Sequence, residues 1–201
     1  MSSSVLLERL INALQVMPGV GPVSAARIAY HLLDRRRQDG LNMARIITEA
    51  LNGIALCPRC RNYTDQEGEL CGVCAQELRR HSALLCVVEA PSDVQAVEDT
   101  AAYQGTYFVL HGHLSPIDGI GTAELGLPLL EEILRSGEIK EVILALSQTV
   151  EGNTTAAYIA KLCQSLNLQV SRIASGVPVG GELGNVDQST LATSFNYRRP
   201  Y

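Results

Sequence analysis

The sequence predicts a multi-module α/β protein, and three observations carry that expectation. A helical pattern interrupted by Gly and Pro opens the chain, two Cys-x-x-Cys pairs follow in a short segment, and alternating strand and helix signals begin at residue 83. The division they imply is 1–54, 55–78, 79–173 and a tail at 174–201.

Ser4 stands ready to cap a first helix running to about Leu14, whose Val5, Leu6, Leu7, Leu10, Ile11 and Leu14 form a broad apolar face. Met17-Pro18-Gly19-Val20-Gly21-Pro22 stops it with turn residues. A second helix is expected from about Val23 to Arg36 and a third from about Met43 to Leu51. This is the pattern of a helix-hairpin-helix. Gly19 and Gly21 let the backbone turn tightly, and the amides ahead of the second helix, aided by its dipole, then face outward where a phosphate can dock. Arg27, one turn in, adds a charge-assisted contact, and Arg35, Arg36 and Arg37 extend a basic rim. Such contacts ignore base identity, so they predict DNA binding without sequence specificity. The plainer alternatives are an ordinary αα-turn and a solvated helix end; His31 reads as a surface or core histidine.

Cys57-Pro58-Arg59-Cys60 and Cys71-Gly72-Val73-Cys74 are two knuckles in a segment too small to build a core of its own. Four thiolates at this spacing predict a tetrahedral Zn²⁺ site closed to water, hence structural. A redox-active dithiol is the alternative reading. Cys86 and Cys163 stand alone in apolar stretches and read as small core residues.

From residue 83 the rhythm is strand Leu84–Val88, helix Ser92–Ala102, strand Tyr107–Leu110, helix Leu125–Arg135, strand Glu141–Leu146, helix Thr154–Leu166 and strand Leu168–Ile173. That order predicts a parallel sheet with helices on both faces. Val87-Val88-Glu89, followed by Asp93, resembles the opening of a Toprim domain, which places a Glu after its first strand and an Asp-x-Asp after a later one to hold Mg²⁺. Here the Asp-x-Asp positions are Ser147 and Thr149, so a cleaving metal centre is not expected. Glu89, Asp93 and Glu151 are left as an acidic patch for a basic partner, or as holders of a weak Mg²⁺ ion; alternatively Glu89 and Asp93 are a strand-end acid and a helix cap. His111-Gly112-His113 reads as a loop. There is no Gly-x-Ser-x-Gly elbow and no Walker A motif.

Bulk properties set the frame. The chain has 201 residues, 46 % of them hydrophobic, and a net charge of −5. Residues 1–81 hold ten Arg, no Lys and eight acids, a balance of +2, whereas residues 82–201 balance at −7. An Arg-only front and an acidic back predict surfaces for different partners. The longest apolar run, Ala83–Val88, is far short of the roughly 18 residues of a membrane span, and no secretory signal opens the chain. A cytoplasmic protein is expected.

Taken in order, the motifs resemble the RecR family over essentially the whole chain. The residues that carry the resemblance begin with Pro18-Gly19-Val20-Gly21-Pro22-x-Ser24-Ala25, the four cysteines and Val87-Val88-Glu89. They continue with Gly112-His113-Leu114-Ser115-Pro116, Asp118-Gly119-Ile120-Gly121, Thr149-Val150-Glu151-Gly152 and Gly176-Val177-Pro178-Val179-Gly180-Gly181-Glu182-Leu183. The resemblance implies a ring-like homo-oligomer of dimers, joined through N-terminal helices and C-terminal tails, that encircles DNA. It implies work with RecO, and RecF where present, in helping RecA replace single-strand-binding protein on gapped DNA. It also implies a Toprim domain that docks partners and catalyses nothing. Three positions depart from the family's habit: Val23 where Lys is usual, Ser147-Gln148 where Asn-Pro is more frequent, and Asn153 where an acid is common.

Overall fold

The computed structural model describes residues 4–174, 176–177, 180–196 and 198. Pro178 and Val179 of the Gly-rich tail motif, and Arg199-Pro200-Tyr201, lie outside the described residues. The chain divides into two compact units, one up to Ile54 and one from Ala55 onward.

The first unit contains three helices, α1 (Val5–Leu14), α2 (Pro22–Asp34) and α3 (Arg37–Gly53). Leu14, Ala25 and Ala29 are buried, with Leu7, Leu10, Ile11, Val20 and Ile28 packed around them. Ala at 25 and 29, one turn apart, lets α1 approach α2 closely. Ser4 occupies the cap position of α1, but its side chain makes no capping bond. The third helix begins six residues earlier than its apolar pattern suggests, and it buries none of its residues.

The second unit opens with a short antiparallel ladder, β1 (Ala55–Leu56) with β2 (Tyr63–Thr64), which closes the first cysteine knuckle. A five-residue helix, α4 (Glu77–His81), leads to a parallel sheet of β3 (Leu84–Val88), β4 (Thr106–Val109), β5 (Glu141–Ala145) and β6 (Gln169–Arg172), in the order β4-β3-β5-β6. Helices α5 (Pro91–Glu98), α6 (Leu127–Arg135) and α7 (Val150–Ser165) link the strands. The period of two sorts side chains to opposite faces. Leu85, Val87, Phe108 and Leu144 meet Leu130 of α6 and Ile159 of α7, whereas Cys86, Val88, Tyr107 and Val109 meet Val94 of α5. Both faces are therefore covered. Helix α5 ends at Glu98, short of Ala102, because Ala101 is left-handed with φ of 53°. Beyond the sheet, the described residues of the tail include a short turn and a helix. Asp187 accepts the Thr190 amide at 2.9 Å, and α8 (Gln188–Asn196) follows.

Edge strand β4 has outer amides with no partner strand, and the first knuckle covers the one at Val109. Val109 donates its amide to the Cys60 carbonyl at 2.8 Å. Just beyond, His111 Nε2 meets the Arg61 carbonyl at 2.6 Å and the Tyr63 and His111 rings pack together. Behind the knuckles Arg79, only 7 % exposed, pairs with Glu98 of α5 at 2.8 Å and donates to the Tyr103 carbonyl at 2.7 Å.

Candidate functional site

The four knuckle cysteines converge. Cys57, Cys60, Cys71 and Cys74 are all buried, with their sulfurs within 4.8 Å of one another. Cys60 Sγ and Cys71 Sγ are 3.4 Å apart. Tetrahedral metal–sulfur bonds of about 2.3 Å place sulfurs roughly 3.8 Å apart, so the set fits a bound metal ion. Proton sharing with Cys71 and Cys74 holds the Cys60 thiol far above its ordinary range, while the same contacts hold Cys71 low. Four buried thiolates repel one another unless a cation lies among them. The donor chemistry and geometry together mark a site that can hold a metal. The two remaining cysteines behave differently. Burial pushes the Cys86 thiol up to about 12 and Cys163 up to about 11, as expected of neutral core side chains.

At the hairpin, Gly19 is left-handed with φ of 79°, a conformation that disfavours any side chain. Gly21 is not: its φ of −81° is open to any residue, and its value lies in leaving the start of α2 bare. Pro22 takes the first helical position, no side chain caps the helix, and the Ala25 amide is the first to find a backbone partner, Gly21 O at 2.9 Å. The amides of Val23 and Ser24 are consequently left for solvent or a ligand. Arg27 is exposed on the next turn. Arg35 and Arg37 are exposed too, but they sit past the other end of α2, about 20 Å along its axis from Gly21. Arg27 thus stands one helical turn from the hairpin amides, and Arg35 and Arg37 stand at the other end of the helix.

At the C-terminal end of the sheet, Glu89 and Asp93 line one cleft of about 330 Å³, with Val97, Ala145, Ser147 and Ile173 among its walls. Asp93 is not the cap of α5; it sits three residues in, and its carboxylate accepts the Ala90 amide at 2.8 Å. Glu89 Oε1 accepts both the amide of Ser147 at 2.8 Å and its hydroxyl at 2.7 Å. Ser147 Oγ in turn lies 3.0 Å from Thr149 Oγ1, which accepts the Gly152 amide at 3.0 Å and so caps α7. The two hydroxyls at the Asp-x-Asp positions therefore tie the Glu to the helix start by hydrogen bonds. Gly152 is what lets the chain come this close: a Cβ there would strike Ser147 O and Oγ and lie 3.0 Å from Glu89 Oε1. Glu151, exposed in the first turn of α7, does not line the cleft. Among the described residues the four cysteines are the one group of three or more metal-binding side chains close enough to share an ion, so the weak Mg²⁺ expected of Glu89, Asp93 and Glu151 has no clustered ligand set.

Arg79 carries no signal in the motifs, since it lies in a run of charges from Glu77 to His81. Gly152 belongs to the Thr149-Val150-Glu151-Gly152 motif, and a glycine within a helical pattern marks a close approach.

Three family models match the chain: the helix-hairpin-helix of RecR over residues 7–51, the Toprim domain over residues 83–174, and the C-terminal region of RecR over residues 176–199.

Proposed function

The chain belongs to the RecR family, and from that premise we propose that it is a non-catalytic, DNA-binding recombination mediator. It works with RecO, and RecF where present, to promote RecA loading on gapped or single-stranded DNA in recombinational repair. The observation that carries this reading is the uncapped start of α2 behind the Gly19 turn, with Arg27 exposed one turn on. Backbone amides at a helix N-terminus accept phosphate of any sequence. Val23, 85 % exposed, adds no charge there, so each hairpin binds weakly and several must act together.

Assembly would supply that number. Helix α3 leaves Met43, Ile46 and Ile47 about half exposed and Leu51 exposed, with half-exposed Ile54 just past its end, an apolar face that self-association would bury. A ring of such units raises the effective concentration of hairpins around one DNA strand. Arg35 and Arg37, at the far end of α2, would touch a phosphate beyond the one held by Arg27. We assign the cysteine site to Zn²⁺ held by Cys57, Cys60, Cys71 and Cys74, a closed coordination shell that supplies rigidity and no open position. Glu89 and Asp93, with Glu151 at the margin, would form the acidic edge that recruits RecO. Among the described residues no helix is long and apolar enough to cross a membrane, in keeping with work at DNA in the cytoplasm.

The test is a DNA titration at low and high salt, with and without RecO, on the native chain and Arg27→Ala. Salt-sensitive binding that Arg27→Ala weakens about tenfold or more supports the hairpin as the contact. Equal binding by both proteins removes it. In parallel, Glu89→Lys with Asp93→Lys should weaken RecO capture; unchanged capture discards the acidic edge.

A further inference from the structure

The second unit carries another cleft that neither the hairpin nor the acidic edge uses. It opens at the starting ends of β3 and β5, one strand length from Glu89, or about 17 Å. Its volume is about 820 Å³, ample for several side chains of a docked segment. Pro58 and Leu70, from the two knuckle loops, form one wall, and Ala83 with Ile133 of α6 forms the apolar floor.

The rim is cationic, in a part of the chain that is otherwise acidic. Arg59, Arg80, His81 and Lys140 line the cleft against a single acid, Glu138. The two arginines are already committed. Arg59 is ion-paired with Glu138, whose carboxyl it holds below its ordinary range. Arg80 donates to the Cys74 carbonyl at 2.9 Å and makes a longer pair with Glu77 at 3.8 Å. Lys140 and His81 are exposed and have no side-chain hydrogen bond or ion pair among the described residues. The Lys140 backbone is held at the rim, because its amide donates to the Ala83 carbonyl at 2.8 Å. One uncommitted cation, Lys140, and one uncommitted imidazole, His81, thus flank an apolar floor.

We propose that this cleft docks an extended acidic peptide segment of a partner protein. An aliphatic side chain of the peptide enters over Leu70, Ala83 and Ile133, and its carboxylates reach Lys140 and His81. Charge complementarity at the rim selects the sign of the partner, since Lys140 and the arginines beside it attract a carboxylate and repel a basic side chain. The lining selects peptide over nucleic acid. No Phe, Tyr or Trp lines the cleft to stack a base, and two of its three cations, Arg59 and Arg80, are tied to groups within the protein. An apolar floor rewards a buried side chain and does nothing for a phosphate.

The test is fluorescence anisotropy on the whole chain with a fluorescein-labelled peptide, Asp-Glu-Asp-Leu-Asp-Glu-Leu. Two control peptides carry Asn and Gln for the acids, or Ser for both leucines. Saturable, salt-sensitive binding is expected, weakened about tenfold or more by either control change and by Lys140→Glu or Leu70→Ser. Lys140→Glu should leave the affinity for a single-stranded oligonucleotide unchanged. Lys140→Gln, which removes the charge at an exposed position, serves if the reversal fails to fold. No binding, or binding that Lys140→Glu and Lys140→Gln leave intact, overturns the proposal. An oligonucleotide that displaces the peptide and itself depends on Lys140 makes the cleft a nucleic-acid contact and overturns it as well. A concentration-dependent rise in mass that Lys140→Glu abolishes gives the cleft to a second copy of this chain, with the same consequence.

Discussion

Leu14, Ala25 and Ala29 make up the buried core of the first unit, whereas the second unit hides Tyr107, Phe108, Leu130 and Ile159 within a core on both faces of its sheet. The second unit also closes its weak points internally. The cysteine knuckle accepts the Val109 amide at the edge of β4, Arg79 pairs with Glu98, and Ser147 donates twice to Glu89 Oε1. The first unit leaves its longest helix without a buried residue and its second helix without a cap. The difference teaches where binding energy is available. The first unit, with bare amides at α2 and a half-exposed apolar face on α3, is where DNA and a second copy are proposed to bind, and the second unit keeps an open cleft beside a closely partnered core.

The comparison breaks most easily at the metal site. Chelation, or Cys60→Ser, should destabilise the second unit by on the order of 5 kcal/mol, since the knuckles have no core to replace the metal. Urea unfolding measures the loss, and hydrogen exchange at the Val109 amide should accelerate because its acceptor, the Cys60 carbonyl, moves with the knuckle. Unchanged protection at Val109 would detach the knuckle from the sheet edge.

Gly152→Ala should cost about 2 kcal/mol, the penalty of forcing a methyl group into a packed site. It should also free Glu89 from Ser147. A midpoint within error of the native chain would mean that the backbone there yields easily and the edge network is loose.

A smaller effect comes from alkali. Cys86 keeps its proton up to about pH 12 when folded, against an ordinary thiol value of 9.0. Above pH 9 the unfolded chain has released that proton and the folded chain has not, so stability must fall as pH rises, by about 1.4 kcal/mol per unit. Cys86→Ala should flatten this slope between pH 9 and 10 in denaturation curves, whatever it does to the absolute stability. An equally steep slope in the variant would assign the alkaline loss to other groups.

Least visible in stability is Ile47→Glu on α3. The second unit should unfold within about 0.5 kcal/mol of the native value, while light scattering reports a smaller assembly. A native-sized assembly would remove α3 from the interface and narrow the contrast between the units.

What the sequence determined by itself lies in contiguous patterns. The knuckles are legible because two thiolates three residues apart share one turn. The hairpin is legible because Gly and Pro between apolar helices constrain the backbone locally, and the sheet because four apolar runs alternate with helical periods. Ser147 and Thr149, in place of the acids of the Asp-x-Asp pattern, also speak against a cleaving metal centre. The tertiary structure decided which distant groups meet. Cys60 O accepts from Val109 N because β4 is the edge strand, and strand order is not written in any local period. Glu89 meets Ser147, 58 residues away, because β3 and β5 are neighbours in parallel register. That pairing links the hydroxyls of Ser147 and Thr149 to Glu89 by hydrogen bonds, and Glu151 does not line the cleft of Glu89 and Asp93. Arg79 is buried for the same reason: its partner lies on the next helix, and no spacing along the chain announces a pair made only when the sheet folds.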